Sequence, residues 1–293
     1  MISQTSQDKI RSTTVVDFIA NVNVVISFNR NPDHLRYAKF YRKLIERQDA
    51  RDGEKVVLIT TVGLKEFLVG FFYLLSGGQV FHVIHDFIPH PGPKYKITVL
   101  YNSLASLFFK LVFHSRSQAE RYGKECHVFP LPITSLPESV IRSSGPFLAF
   151  GRCEPYKNFD HIVHLANSFK EFDFVIASKG YVSNCKPPNL KIIDTFVTDE
   201  ELRILMQRCR ALVLPYTSAT QSGVIVQAFE YGKPVIVSDV PGLVEYLGEE
   251  SWFGESFSLQ DDSSFKIAAE RIVHQSSVNF QRNLNRWNSK MIL

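Results

Sequence analysis

Short apolar runs recur along the chain, separated by segments long enough to form helices. In the first half they fall at 22–28, 56–61, 79–85 and 111–114, with a short one at 127–130. In the second half they fall at 147–150, 174–177, 190–193, 211–214 and 234–237. These runs lack strict alternation, as strands covered on both faces do. Helical patterns lie between them at 35–47, 64–75, 101–110, 159–172, 199–209, 224–231 and 242–247. Strands alternating with helices predict parallel sheets with helices on both faces. The 64–75 segment is apolar nearly all round, which predicts a buried helix.

The stretch 136–146 carries two Pro, one Gly and three Ser between two such α/β runs, and reads as a linker. The expected organisation is a first domain over 1–145, a second over 146–279 and a helical tail over 280–293. The tail is amphipathic enough to pack back across the linker. A chain of 293 residues has the length of about two ordinary domains.

Composition narrows the function classes. Apolar residues at 45% and charged residues at 21% exclude a disordered or collagen-like chain. A net charge of +4 is too small for a dedicated nucleic-acid binder. The charge is uneven: residues 1–146 carry 18 Lys and Arg against 12 Asp and Glu, and the remainder carries 15 against 17. A basic first half and a slightly acidic second half suggest domains with different partners. Four scattered cysteines, with no C-x-x-C spacing, argue against a zinc knot or a disulfide framework. They fit a reducing cytoplasm. The polar N-terminus has no apolar signal core. No apolar run approaches the ~18–20 residues of a membrane span. The Phe-rich segment 101–113, with Lys110 and the following Arg116 and Arg121, fits either a core-facing helix with solvated charges or peripheral attachment to an anionic membrane surface.

Two stretches carry candidate chemistry. The first runs from Gln221 to Glu245, after the 211–214 strand. Ser222-Gly223 would open a helix whose first amides belong to Gly223, Val224 and Ile225. Such an end offers N–H groups and a positive dipole to a diphosphate. The second runs from Phe150 to Asp160 at the end of a strand. Its Arg152 and Lys157 flank a turn at the edge where open α/β sheets bind ligands. They can pair with a diphosphate, Arg as a fork and Lys as a point charge. Each stretch alone also fits an ordinary strand–turn–helix unit with surface charges.

Together they resemble the donor domain of retaining glycosyltransferases of family 4, the GT-B architecture. The matching residues are Gly151-Arg152, Lys157-Asn158, Gly223, Gly232-Lys-Pro-Val-Ile236 and Gly242-Leu-Val-Glu245. Order and spacing hold over about 147–250. A further match is the strand ending in His85-Asp86, followed by Pro89-His90. The resemblance implies an α/β, GT-B-like fold of two Rossmann-like domains facing each other across a cleft. It implies that Gly151, Arg152, Lys157, Phe196, Gln221, Ser222, Gly223, Val224 and Gln227 hold the donor, with Arg152 and Lys157 on its diphosphate. It implies His85 as a catalytic residue facing the donor sugar, with Asp86 and His90 on the acceptor side. A histidine suits hydrogen bonding or proton transfer there. His82 and His85 are three apart on a strand, so their side chains point to opposite faces and do not easily share a metal. No metal and no cofactor is implied beyond the nucleotide-sugar co-substrate.

The chain departs from the family at two places. The family's two glutamates fall on Ala219 and Gln227, and Gln227 can still bond ribose hydroxyls, more weakly than a carboxylate. Thr220, Gln221 and Ser222 could take over from Ala219 in holding the sugar. The family's N-terminal glycine-rich loop also has no counterpart, because the first glycine in the chain is Gly53. The first domain is thus expected to be shortened. The expected function is retaining transfer from a nucleotide sugar, a UDP-sugar by preference, to a saccharide or lipid-linked saccharide acceptor. The expected setting is polysaccharide or O-antigen assembly, in the cytoplasm or on the inner face of the membrane. A non-catalytic glycosyltransferase-like subunit and a sugar-nucleotide epimerase of the same fold remain alternatives, and oligomeric state is left open.

Overall fold

The structure is a computed structural model that describes residues 14–19, 22–27, 56–59, 63–84, 95–128, 131, 144–248, 253–274 and 282. The expected helix at 35–47, most of the linker, and the 280–293 tail apart from Arg282 lie outside the described residues. The chain divides into two compact units, Met1–Pro132 and Ile133–Leu293.

The first unit holds one sheet of β1 (Thr14–Ile19), β2 (Val22–Ser27), β3 (Val56–Ile59), β4 (Gln79–Ile84), β5 (Lys110–Phe113) and β6 (His127–Val128), in that spatial order. From β2 onward the strands are parallel, but β1 and β2 are antiparallel. This corrects the expectation of parallel pairing throughout. Only two residues separate Ile19 from Val22, whereas a parallel crossover needs a dozen or more. The helices are α1 (Leu64–Leu75), α2 (Tyr95–Phe108) and α3 (Arg116–Tyr122). Phe67 and Phe71 of α1 meet Phe108 of α2, with ring centres 6.0 and 5.4 Å apart. The two helices therefore lie side by side. Ile59, Val80, Ala105 and Phe109 form the core beneath them.

Here α1 departs from expectation. Of its twelve residues only Gly70 is buried, with Ile59 and Phe109 pressed against the place a side chain would take. Leu64, Leu68, Val69, Phe72 and Leu75 face outward, Phe72 at 66% exposure. The helix is apolar on both sides, and the sheet has room for only one of them.

The second unit holds β7 (Phe147–Phe150), β8 (Phe174–Ala177), β9 (Leu190–Ile193), β10 (Ala211–Leu214), β11 (Val235–Ser238) and β12 (Gly254–Phe257). All pairs are parallel, in the order β9-β8-β7-β10-β11-β12. That is the 3-2-1-4-5-6 order of a dinucleotide-binding Rossmann sheet. Its helices are α4 (Phe159–Ser168), α5 (Asp199–Arg208), α6 (Gly223–Glu230), α7 (Pro241–Val244) and α8 (Asp262–His274). Phe265 of α8, fully buried, packs against Phe147, Phe174 and Phe257 at 5.5–6.0 Å between centres. Helix α4 stops at Ser168, four residues short of the expected 172, because Phe169 and Phe172 turn back onto that core.

Gly232-Lys-Pro now has a structural explanation. Gly232 takes the left-handed conformation just past α6 at φ 66°. It donates to Phe229 O at 2.9 Å, and the Lys233 amide donates to Ala228 O at 2.8 Å, a paired closure of the helix end. The buried Lys233 ammonium donates to the carbonyls of Gln207 and Cys209 at 3.2 and 2.8 Å. It thereby satisfies acceptors left over at the end of α5, where a cation also suits the helix dipole.

Candidate functional site

Strand order in the second sheet reverses between β7 and β10. Ligands of open α/β sheets bind beyond the carboxyl ends of such a pair. The two stretches singled out from sequence are the loops that leave these strands.

The loop after β7 is built around Lys157. Gly151 sits at φ 126°, and a side chain there would overlap the Lys157 ammonium, so both backbone and space demand glycine. The Gly151 amide donates to Ala177 O at 3.1 Å, fixing the loop to the end of β8. A single tight turn, Pro155–Lys157, brings the lysine round. Asn158 then enters α4 in the left-handed conformation at φ 52°, a position that asparagine or glycine tolerates.

The Lys157 side chain points inward and the residue is 5% exposed. Its ammonium donates to Tyr216 Oη at 3.0 Å and, more weakly, to Phe150 O at 3.4 Å. Burial and the neighbouring Arg152 charge push its pKa down to about 8, against a small opposing pull from Glu154. Arg152 is the opposite case: its side chain is 85% exposed, 3.9 Å from Glu154. That pairing holds the guanidinium loosely and leaves it open to an anion.

The loop after β10 is laced to the first. Thr217 N donates to Tyr156 O at 2.8 Å, and the Tyr156 and Tyr216 rings meet edge to face at 5.5 Å. Ser238 Oγ, at the end of β11, donates to Tyr216 O at 2.6 Å. Gly242 at the start of α7 lies so close to Ala219 O that any side chain there would strike the loop backbone. The Gly-x-x-Glu motif thus holds the loop that carries Ala219 and Thr220. Ser222, at the N-cap of α6, is buried and makes no side-chain cap bond to the helix. Its carbonyl accepts from the amides of Ile225 and Val226. The amides at the mouth of α6 are therefore those of Gly223 and Val224.

The structure thus gathers Gly151, Arg152, Lys157, Gln221, Ser222, Gly223 and Val224 at one sheet edge. Phe196, 76% exposed, follows β9 at the same edge. Gln227 is exposed on α6, one turn beyond Gly223. His85, Asp86 and His90 lie outside the described residues. Sequence reasoning missed Tyr156, Tyr216 and Thr217, which tie the loops together. The available signal was Pro215-Tyr216 standing directly at the end of a strand at the reversal point. Among the described residues, no group of three His, Cys, Asp or Glu side chains could hold a metal ion.

Two cations and open helix amides thus stand at the reversal point of a doubly wound sheet. Residues 146–275, less than half of the chain, match the family model of glycosyl transferases group 1. No curated protein matches the chain. Solved structures of similar fold include HepE of Anabaena in complex with UDP, at 15% identity and TM-score 0.58, covering 90% of this chain and 81% of that one. An α,α-trehalose-phosphate synthase (UDP-forming) from Burkholderia vietnamiensis matches at 11% identity and TM-score 0.54, covering 95% and 87%. OtsA in its apo form matches at 11% identity and TM-score 0.54, covering 88% and 73%. The fold is accordingly α/β and GT-B-like.

Proposed function

We propose that the protein transfers a glycosyl unit from a UDP-sugar to a saccharide or lipid-linked saccharide acceptor, with retained anomeric configuration. The observation that carries this reading is the buried Lys157 ammonium and open Arg152 beside the mouth of α6, where a diphosphate finds two cations and the Gly223 and Val224 amides. Two similar structures bear on the nucleotide. One is described in complex with UDP, and another as UDP-forming. A trehalose-6-phosphate synthase of similar fold, TM-score 0.52, is described through glycosyl transfer with retention. In the transfer, the bond from the anomeric carbon to the diphosphate breaks and a new one forms to an acceptor hydroxyl. Charge builds on the departing diphosphate, and Arg152, Lys157 and the α6 amides are aimed at it before it forms. Phe196 offers a face for the base, and Gln227 an amide for ribose hydroxyls. For His85, Asp86 and His90 the assignment to the sugar and acceptor side rests on the family resemblance. No metal enters this reading.

The test is calorimetry with UDP, paired with release of UDP from UDP-sugars with and without acceptor. Lys157→Met and Arg152→Ala should each weaken UDP binding about tenfold or more. Unchanged affinity in both would remove the donor site.

A second element of this reading is attachment to an anionic membrane surface. Its support is the outward face of α1 and α2, where Leu64, Leu68, Val69, Phe72, Leu75, Ile97, Leu100, Leu107 and Phe108 are all exposed. Lys65 and Lys96 stand exposed among them. Apolar patches of this extent mark interaction surfaces. Among the described residues no helix is long and apolar enough to cross a membrane.

A further inference from the structure

We propose that Tyr216 is the positioning residue of the donor site: its hydroxyl, on the loop that leads to α6, fixes the Lys157 ammonium of the loop after β7. The inference rests on the donor-site reading above and deepens it.

Three buried polar side chains lie at this sheet edge: Lys157 at 5% exposure, Tyr216 at 3% and Ser222 at 5%. They come from three separate segments. Lys157 ends the turn after β7, Tyr216 follows β10, and Ser222 caps α6. Lysine has only donors, so Tyr216 Oη accepts from Lys157 at 3.0 Å. Ser222, at the N-cap of α6, makes no side-chain cap bond to its own helix, so the helix mouth stays open to an anion.

Tyr216 is itself held rigidly. Its carbonyl accepts from Ser238 Oγ at 2.6 Å, and its ring meets Tyr156 edge to face. The adjoining Thr217 amide is bonded to the Tyr156 carbonyl. Burial keeps its phenol well above the ordinary titration range, so it remains a neutral hydroxyl at working pH. A neutral acceptor at fixed distance favours the charged form of lysine, against the burial and the Arg152 charge that disfavour it. The charged and titratable groups facing Lys157 are Arg152 and Glu154 from its own loop, and Tyr216 from beyond β10. Without the hydroxyl, the ammonium loses its one short hydrogen bond among the described contacts. The Thr217–Tyr156 backbone bond and the Tyr156–Tyr216 ring contact still join the two loops, but neither reaches the ammonium.

The experiment compares wild type, Tyr216→Phe, Lys157→Met and the double variant, with UDP binding followed by calorimetry from pH 6.5 to 9.5. Phenylalanine keeps the ring and its contact with Tyr156, so circular dichroism and the thermal midpoint should stay close to wild type. Tyr216→Phe should weaken UDP about five- to tenfold at pH 7.5 and move the midpoint of its pH profile to lower pH. In the Lys157→Met background the same substitution should have less than a twofold effect, because there is no ammonium left to place. A wild-type profile in Tyr216→Phe, while Lys157→Met still loses affinity, overturns the positioning role and leaves the donor site standing. Full affinity in Lys157→Met overturns the positioning role, and full affinity in Arg152→Ala as well removes the donor site itself. Equal losses from Tyr216→Phe with and without Lys157 mean that the tyrosine acts independently of the lysine, which also overturns the proposal. If Tyr216→Phe proves unstable, Ser238→Ala offers a second route: it releases the Tyr216 carbonyl and should weaken UDP less than Tyr216→Phe does, with no effect in the Lys157→Met background.

Discussion

Helix α4 of the second unit and helix α1 of the first are nearly equal in length but put their apolar residues to opposite uses. In α4, Phe159, Ile162, Val163, Leu165 and Ala166 are buried, while Asp160, His164 and Asn167 face out. In α1, apolar residues fill both faces, and only Gly70 is buried. The first pattern is that of a helix completed by its own sheet. The second is that of a helix whose outer face asks for something beyond the unit. An apolar residue is therefore buried in one place and left at the surface in the other.

The sharpest way to break this contrast is to make one substitution in both places. Phe265→Ala in the second unit removes a fully buried ring with at least three aromatic neighbours and should cost about 3–5 kcal/mol. Phe72→Ala on α1 should stay within about 0.5 kcal/mol. Urea denaturation of both variants measures the difference. Similar losses would mean that α1 is covered, and the comparison would collapse.

The same contrast explains what could be read from sequence. The strands at 147–150, 174–177 and 211–214 match their expected bounds because each is a short apolar run buried in the middle of the sheet, and 190–193 matches as a half-exposed edge strand that still carries three apolar residues in four. β12 escaped notice: Gly-Glu-Ser-Phe carries little apolar signal, and as an edge strand it needs little. Helix α3, Arg-Ser-Gln-Ala-Glu-Arg-Tyr, is short and polar for the same kind of reason. Burial of α1 was misjudged because periodicity shows where apolar residues lie, not how many sides a sheet can cover. At the site, Arg152, Lys157 and Gly223 stand out through local motifs and family resemblance. Tyr216 does not, because it meets Lys157 across 59 positions of chain. A contact of that kind leaves no periodicity.

The second unit's site offers the next largest effect. Lys157→Met should cost about 1.5–3 kcal/mol of UDP affinity, the range for a charge-assisted bond. The pH profile sharpens this. The apo lysine titrates at about 8, and a diphosphate favours its protonated form. UDP affinity should therefore hold below pH 8 and fall, by up to about tenfold per unit, as pH rises above it. Lys157→Met should flatten this limb of the profile. Folding stability should run the other way. The folded pKa of about 8 lies below the ordinary lysine value of 10.5, so the unfolded chain binds more protons between them, and apo stability relative to Lys157→Met should rise with pH across that window.

The smallest expected effects belong to the outer face of the first unit, and they decide what covers it. Lys65 of α1 and Lys96 of α2 are the exposed charges among its apolar residues, with Glu66 the one acid on these two helices. Near an anionic leaflet each lysine contributes about 1 kcal/mol, falling away within a Debye length of about 10 Å at 0.1 M salt. Lys65→Gln or Lys96→Gln should thus weaken co-sedimentation with phosphatidylserine-containing vesicles roughly fivefold at low salt, leaving UDP affinity unchanged. The loss should shrink as salt is raised, because screening has by then removed what the lysines supply. Phe72→Ser and Leu107→Ser should reduce binding with weaker dependence on salt, since they remove apolar surface rather than charge. If the wild type stays in the supernatant at low salt, or sediments equally with neutral vesicles, the anionic surface is the wrong occupant. A second copy of the chain then becomes the candidate, with concentration-dependent association in analytical ultracentrifugation that Phe72→Ser abolishes and Lys65→Gln does not.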